Sequence, residues 1–169
     1  MSTVGLTFSF KEIVLNNKKK VKLKLIDTGG QEKYRALSKS YFKNADGVLF
    51  VYSIDNEDSF NNIKDWIILF NENNNGKKGI PQILVEAKND LERVVNEESS
   101  KKFAENNDLT RISTSSKTND KVEEVFQEMA EIMYKEYSKT ANSKQKNISL
   151  NTEPKKGRSC CLTKEKTFD

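Results

Sequence analysis

The sequence contains no histidine, and its only two cysteines, Cys160 and Cys161, are adjacent. Imidazole catalysis is excluded, the ligand pattern of a zinc site is absent, and neighbouring cysteines are poor disulfide partners for each other. That cysteine usage fits a reducing, cytoplasmic setting. No apolar run approaches the roughly 18–20 residues that span a bilayer, and the N-terminus lacks a signal-peptide apolar core. The expectation is a soluble chain that meets a membrane only through something attached to it. Proline is also scarce, at two residues, and 35% of the chain is hydrophobic, which allows a packed core over part of its length. At 169 residues the simplest organisation is one domain with an extension.

Positive charge is unevenly spread. Of the 29 Lys/Arg and 25 Asp/Glu residues, positions 138–169 hold eight and three, which leaves the rest near balance. The basic excess belongs to the tail. This argues against nucleic-acid binding by a globular face and for an arm that meets a membrane or an acidic partner. The tail lacks helical or strand periodicity and is rich in Lys, Asn, Ser and Thr, so 138–169 is expected to be disordered and 1–137 to be the folded domain.

Within that domain the apolar pattern is orderly. Leu6, Phe8 and Phe10 alternate with polar residues in a strand from 6 to 15; Asn16-Asn17-Lys18-Lys19 supplies turn chemistry; Val21, Leu23 and Leu25 alternate with lysines in a second strand, making a hairpin. A short helix is expected over 34–44. Gly47-Val48-Leu49-Phe50-Val51-Tyr52 reads as a strand buried on both faces. A helix follows over 57–71, a strand over 82–87, a helix over 96–106 and a short strand over 111–113. The final helix carries the apolar stripe Val122, Val125, Phe126, Met129, Ile132 and Met133. Strands alternating with helices imply an α/β sheet with crossover connections, opened by an antiparallel hairpin.

Ligands of such sheets bind outside the carboxyl ends of the strands, where three polar loops fall. In the first, Asp27-Thr28-Gly29-Gly30-Gln31-Glu32, an Asp at a strand end can hold Mg²⁺ through water, a glycine lets a backbone N–H approach a phosphate oxygen, and a Gln can position a water. The same residue types also make an ordinary turn. In the second, Lys88-Asn89-Asp90, a carboxylate can accept the ring N–H and exocyclic amine of guanine while a Lys stem lies over the base; a surface Lys with a helix-capping Asp is the alternative. In the third, Ser115-Ser116-Lys117, small residues let backbone N–H groups approach a base carbonyl.

Taken in order, these segments resemble the Ras superfamily of small GTPases, and within it the Rab branch. The carrying residues are Thr3-Val4-Gly5-Leu6-Thr7-Phe8, similar to switch I; Asp27 to Arg35, similar to Asp-Thr-Ala-Gly-Gln-Glu-Arg-Tyr-Arg of switch II; Ser40 to Ala45; and the two base loops. The resemblance covers nearly all of 2–137. It implies a Ras-like P-loop NTPase sheet and a GTP-binding, GTP-hydrolysing switch in vesicular membrane traffic, with Mg²⁺ and GTP or GDP as ligands. Its partners would be effector proteins, an exchange factor and a GTPase-activating protein. Thr3 and Asp27 would serve Mg²⁺, and Thr3 would also sense the γ-phosphate, which the Gly30 N–H would touch. Gln31 would orient the attacking water, and Lys88, Asp90, Ser115, Ser116 and Lys117 would hold the base. Phe8, Ile26 and Tyr41 match the apolar trio shown to effectors, with Ile26 where the family has Trp. Cys160 and Cys161, beyond Lys155, Lys156 and Arg158, resemble a doubly prenylated Rab terminus that anchors to endomembranes, although eight residues follow them and no C-a-a-X box ends the chain.

Two departures bear on chemistry. None of the seven glycines opens a Gly-x-x-x-x-Gly-Lys-Ser/Thr phosphate cradle, and Ala87 stands where the family has the Asn of Asn-Lys-x-Asp. The first βα unit, which carries the cradle, is missing from the matched pattern, so five of six strands are expected, with a gap between the strands ending at Ile26 and beginning at Gly47. The expected explanation is a sequence begun at an internal methionine of a longer protein, with weak or no activity as it stands; the alternative is a non-catalytic module that binds effectors independently of nucleotide.

Overall fold

The structure is a computed structural model and describes residues 7–28 and 35–145. Strand β1 (Thr7–Val14) pairs antiparallel with β2 (Lys20–Asp27) across a turn in which Lys18 takes a left-handed φ of 65° and Asn17 Oδ1 accepts from the Lys19 N–H at 3.1 Å. Helix α1 (Arg35–Phe42) leads to β3 (Val48–Ser53). After α2 (Glu57–Asn61) and α3 (Ile63–Asn73), strand β4 (Gln82–Ala87) lies parallel to β3. Helix α4 (Glu97–Asn106) then crosses to β5 (Thr110–Ser113), parallel to β4, and α5 (Val122–Gln145) closes the chain.

The five strands form two sheets, β1-β2 and β3-β4-β5, and among the described residues β2 and β3 share no ladder. The expected gap is therefore open. Helix α5 spans it. Ala130 packs with Ile13, Leu15, Val21 and Leu23 of the hairpin, while Val125 and Met129 pack with Ile83 and Val85 of β4, and Met133 touches both groups. Polar ties reinforce the hairpin side: Lys11 pairs with Glu123 at 2.7 Å, and the Asn16 N–H donates to Glu131 Oε1 at 2.6 Å. Gly47 lets α5 come close, since a Cβ there would stand 2.6 Å from Met129 Sδ. On the other face of the sheet, Phe42, Phe50, Ile63, Ile67, Phe70, Leu84 and Leu109 form the largest buried cluster.

Three expectations need correction. Strand β3 is not buried on both faces: Phe50 and Tyr52 are covered, but Val51 is 55% exposed, because β3 borders the gap. The helix expected over 57–71 divides at Asn62, which ends α2 and begins α3; its carbonyl takes the Asp65 N–H at 3.1 Å in a tighter turn than an α-helix makes. Helix α5 runs past 137, so 138–145 are helical rather than disordered. Extending an established helix costs little per residue, and Lys139 pairs with Glu136 at 2.6 Å one turn back. The remaining tail lies outside the described residues.

Candidate functional site

The carboxyl ends of β4 and β5 meet. Backbone bonds run from Thr114 N to Glu86 O at 2.8 Å and from Asn89 N to Thr114 O at 2.9 Å, which fixes the 88–91 loop against the 114–120 loop. Across this seam the fully buried Ser115 donates through Oγ to Asp90 Oδ1 at 2.5 Å, and the Lys117 ammonium stands 3.7 Å from Asp90 Oδ2. The Ser115 hydrogen bond, seconded by Lys117, holds the Asp90 carboxyl below its ordinary pKa. Asp90 thus offers an ionised, oriented acceptor at a strand end. Sequence reasoning grouped Lys88, Asp90, Ser115, Ser116 and Lys117 at the base, and of these the fold brings Asp90, Ser115 and Lys117 into contact.

Lys88 belongs to the same loop but is engaged elsewhere. Its backbone is left-handed, with φ of 60°, and its ammonium lies 3.6 Å from Asp55 Oδ1 beyond the end of β3. Asp55 accepts a short hydrogen bond from Ser53, the main cause of its lowered pKa, with the Lys88 charge adding to it. Ser116 is exposed beside Ser115. Ala87 places a methyl group at the position where the resemblance puts the family's Asn.

Asp27 ends β2 opposite Thr7 and is exposed. Its position suits a carboxylate that reaches a metal through water. Among the described residues no group of three or more potential metal ligands forms, and Thr3, Gly30 and Gln31 lie outside them. Cys160 and Cys161 also lie outside. Phe8 and Ile26 are direct cross-strand partners on the hairpin, Phe8 being 66% exposed, and Tyr41 near the end of α1 is 38% exposed. The groups present fit the base end of a nucleotide. They do not fit its phosphates, for which the sequence holds no glycine-rich cradle with its Lys.

Sequence reasoning missed two features. The first is a buried carboxylate network two residues before the base loop. Glu86, 1% exposed, meets Tyr52 Oη at 2.6 Å, Ser100 Oγ at 2.7 Å, Arg93 at 3.0 Å and Arg111 at 3.0 Å. Burial pushes its carboxyl upward, but the hydrogen bonds of Tyr52, Arg93 and Ser100 and the charge of Arg111 outweigh this and hold it at about 2. The second is a clasp in which Asn89 Nδ2 donates to Asp120 Oδ2 at 2.6 Å. A charge inside the apolar run Ile83-Leu84-Val85-Glu86 was the available signal for the first; nothing in the sequence marked the second.

A parallel sheet flanked by helices, with its polar loops gathered at the carboxyl strand ends, defines an α/β domain of the Ras-like class. A model of the Ras family matches residues 1–135, and the chain belongs to that family. It is 34% identical over 158 residues to the Ras-related protein SEC4 of Saccharomyces cerevisiae, an overlap of 90% of this chain and 72% of the relative. It is 40% identical over 136 residues to the Ras-related protein Rab-11B of Dictyostelium discoideum, covering 79% and 60%. With the GTP-binding protein ypt3 of Schizosaccharomyces pombe it shares 41% over 128 residues, covering 75% and 58%. The chain spans about three fifths to three quarters of the length of these relatives, and its similarity to these Rab, SEC4 and ypt3 proteins puts it in the Rab branch of the family.

Proposed function

We propose that this chain carries the guanine-recognition end and the effector face of a Rab-type GTPase switch in vesicular traffic, and that by itself it grips nucleotide weakly. The observation that carries the reading is the Asp90–Ser115–Lys117 group at the ends of β4 and β5. An oriented carboxylate there accepts the two N–H donors on one edge of guanine, and adenine lacks that pair. Ser115 and Ser116 leave room for the base carbonyl, and the Lys88 stem lies over the ring once it leaves Asp55. The weak grip follows from the absence of a phosphate cradle within the 169 residues and from Ala87.

Hydrolysis belongs to the longer arrangement that the resemblance implies. There Thr3 and Asp27 serve Mg²⁺, Gly30 meets the γ-phosphate and Gln31 orients water, with an exchange factor and a GTPase-activating protein as partners. Membrane attachment through Cys160 and Cys161 is part of the same reading, and intact mass of the protein from native cells tests it.

A second reading, a module that binds effectors without nucleotide, is supported by the exposure of Phe8 and Tyr41. Nuclear magnetic resonance with millimolar nucleosides discriminates the two. Guanosine is expected to shift amides of 88–90 and 115–117, adenosine to leave them in place, and Asp90→Ala to abolish the guanosine response. Equal responses to both nucleosides would contradict the base-recognition reading.

A further inference from the structure

The solvent face of the β1–β2 hairpin combines exposed rings with unneutralised cations. Phe8 and Phe10 are 66% and 56% exposed and stand edge to face, 6.0 Å between centroids. Phe10 lies opposite Lys24 and Phe8 opposite Ile26, so each lysine reaches the diagonal ring: Lys22 Nζ sits 4.8 Å from the centroid of Phe10 and Lys24 Nζ 5.1 Å from that of Phe8. Among the described residues Lys20, Lys22 and Lys24 make no ion pair. Glu12, the one acid on that face of the hairpin, is opposite Lys22 in register but forms no salt bridge with it. The rings hold the ammonium groups in place, which lowers the entropy lost when an anion binds, and leave their charge unmet.

We propose that this face docks an acidic polypeptide segment whose apolar side chains cover Phe8 and Phe10 and whose carboxylates meet Lys22 and Lys24. The proposal rests on the reading of Phe8, Ile26 and Tyr41 as a docking face and adds the chemistry of the partner. Outward positions on a strand recur every roughly 6.6–6.8 Å, and carboxylates one helical turn apart, about 5–6 Å between Cβ atoms, come close to that spacing. Charge complementarity of this kind selects partners and speeds encounter. An anionic membrane fits the face less well. The rings cannot enter the acyl region without carrying the overlying ammonium groups with them.

The test uses the full chain and three probes: a short helical peptide with Glu one turn apart beside Leu and Phe on the same face, the same peptide with every Glu replaced by Lys, and phosphatidylserine vesicles. Fluorescence anisotropy is expected to show binding of the acidic peptide that weakens with salt, no binding of the basic one, and a loss of at least about tenfold in K22E/K24E. Circular dichroism checks that this variant stays folded, as its exposed positions lead one to expect. Failure of the acidic peptide to bind, equal binding of the basic peptide, unchanged affinity in K22E/K24E, or preference for vesicles would each overturn the proposal. Loss of binding in Phe8→Ala with none in K22E/K24E would leave the docking face standing and remove its acidic partner; binding indifferent to both variants would remove both. No arm requires nucleotide, so the outcome is independent of the base site.

Discussion

A carboxylate in the middle of an apolar strand stays charged only where donors surround it, and Glu86 has four. The arrangement is not fully satisfied, since Arg93 Nη1 is buried without a hydrogen-bond partner. Removing the acceptor while leaving two guanidinium groups in place is the costly change, so Glu86→Ala is expected to lose about 3–5 kcal/mol by urea denaturation. Ser100→Ala, which deletes one neutral donor, should lose about 1 kcal/mol. Because the folded carboxyl is held at about 2, below its ordinary value near 4.5, its contribution is complete above pH 4.5 and fades as pH falls toward 2. Acid unfolding followed by circular dichroism should steepen in that window and do so less in Glu86→Gln. Tyr52 moves the other way. Burial, followed by its hydrogen bond to Glu86, raises its phenol to about 12, so its contribution holds below pH 10 and is lost as pH rises toward 12. In an absorbance titration at alkaline pH, Tyr52→Phe should remove a component that ionises late. None of this was legible beforehand, because the partners of Glu86 stand 7, 14, 25 and 34 residues away and only the fold brings them together.

At the scale of elements, boundaries follow local chemistry closely. Asn56 and Asn96 each accept a backbone N–H three residues on, at 2.9 Å, and each is followed by two acids that suit a helix start; Asn62 makes no such bond. Asn56→Ala and Asn96→Ala should therefore each lose about 1 kcal/mol, and Asn62→Ala only a few tenths, in the same denaturation assay. The periodic elements were readable because their apolar spacing is local: the hairpin strands Thr7–Val14 and Lys20–Asp27 and the stripe of α5 appear where the pattern placed them. The break at Asn62 was not readable, since Phe60, Ile63, Ile67 and Phe70 keep helical spacing across it. The exposure of Val51 was not readable either. A run of apolar residues tells that a strand is suited to burial, and only the sheet order tells which sides are covered.

At the scale of the molecule, α5 holds together two sheets that share no ladder among the described residues, and the open seam lies between β2 and β3. The seam is where the family's first strand would run, and the proposed base loops and proposed effector face flank it, while no glycine-rich phosphate cradle stands in the 169-residue sequence. The candidate base site was legible as two separate loops, 88–90 and 115–117; what the fold added is that Ser115 and Asp90 meet. Phosphates usually contribute much of the affinity of such sites through charge-assisted hydrogen bonds and a metal ion. A chain that holds only the base end should gain almost nothing from them. The central claim is therefore tested most directly by comparing the affinities of this 169-residue chain for guanosine and for GDP with Mg²⁺, by calorimetry or by chemical-shift titration. The account predicts values within about tenfold of each other, a difference of some 1.4 kcal/mol, and insensitive to Mg²⁺. Mg²⁺-dependent binding of GDP that is a thousandfold or more tighter than that of guanosine, on the order of 4 kcal/mol, would contradict it.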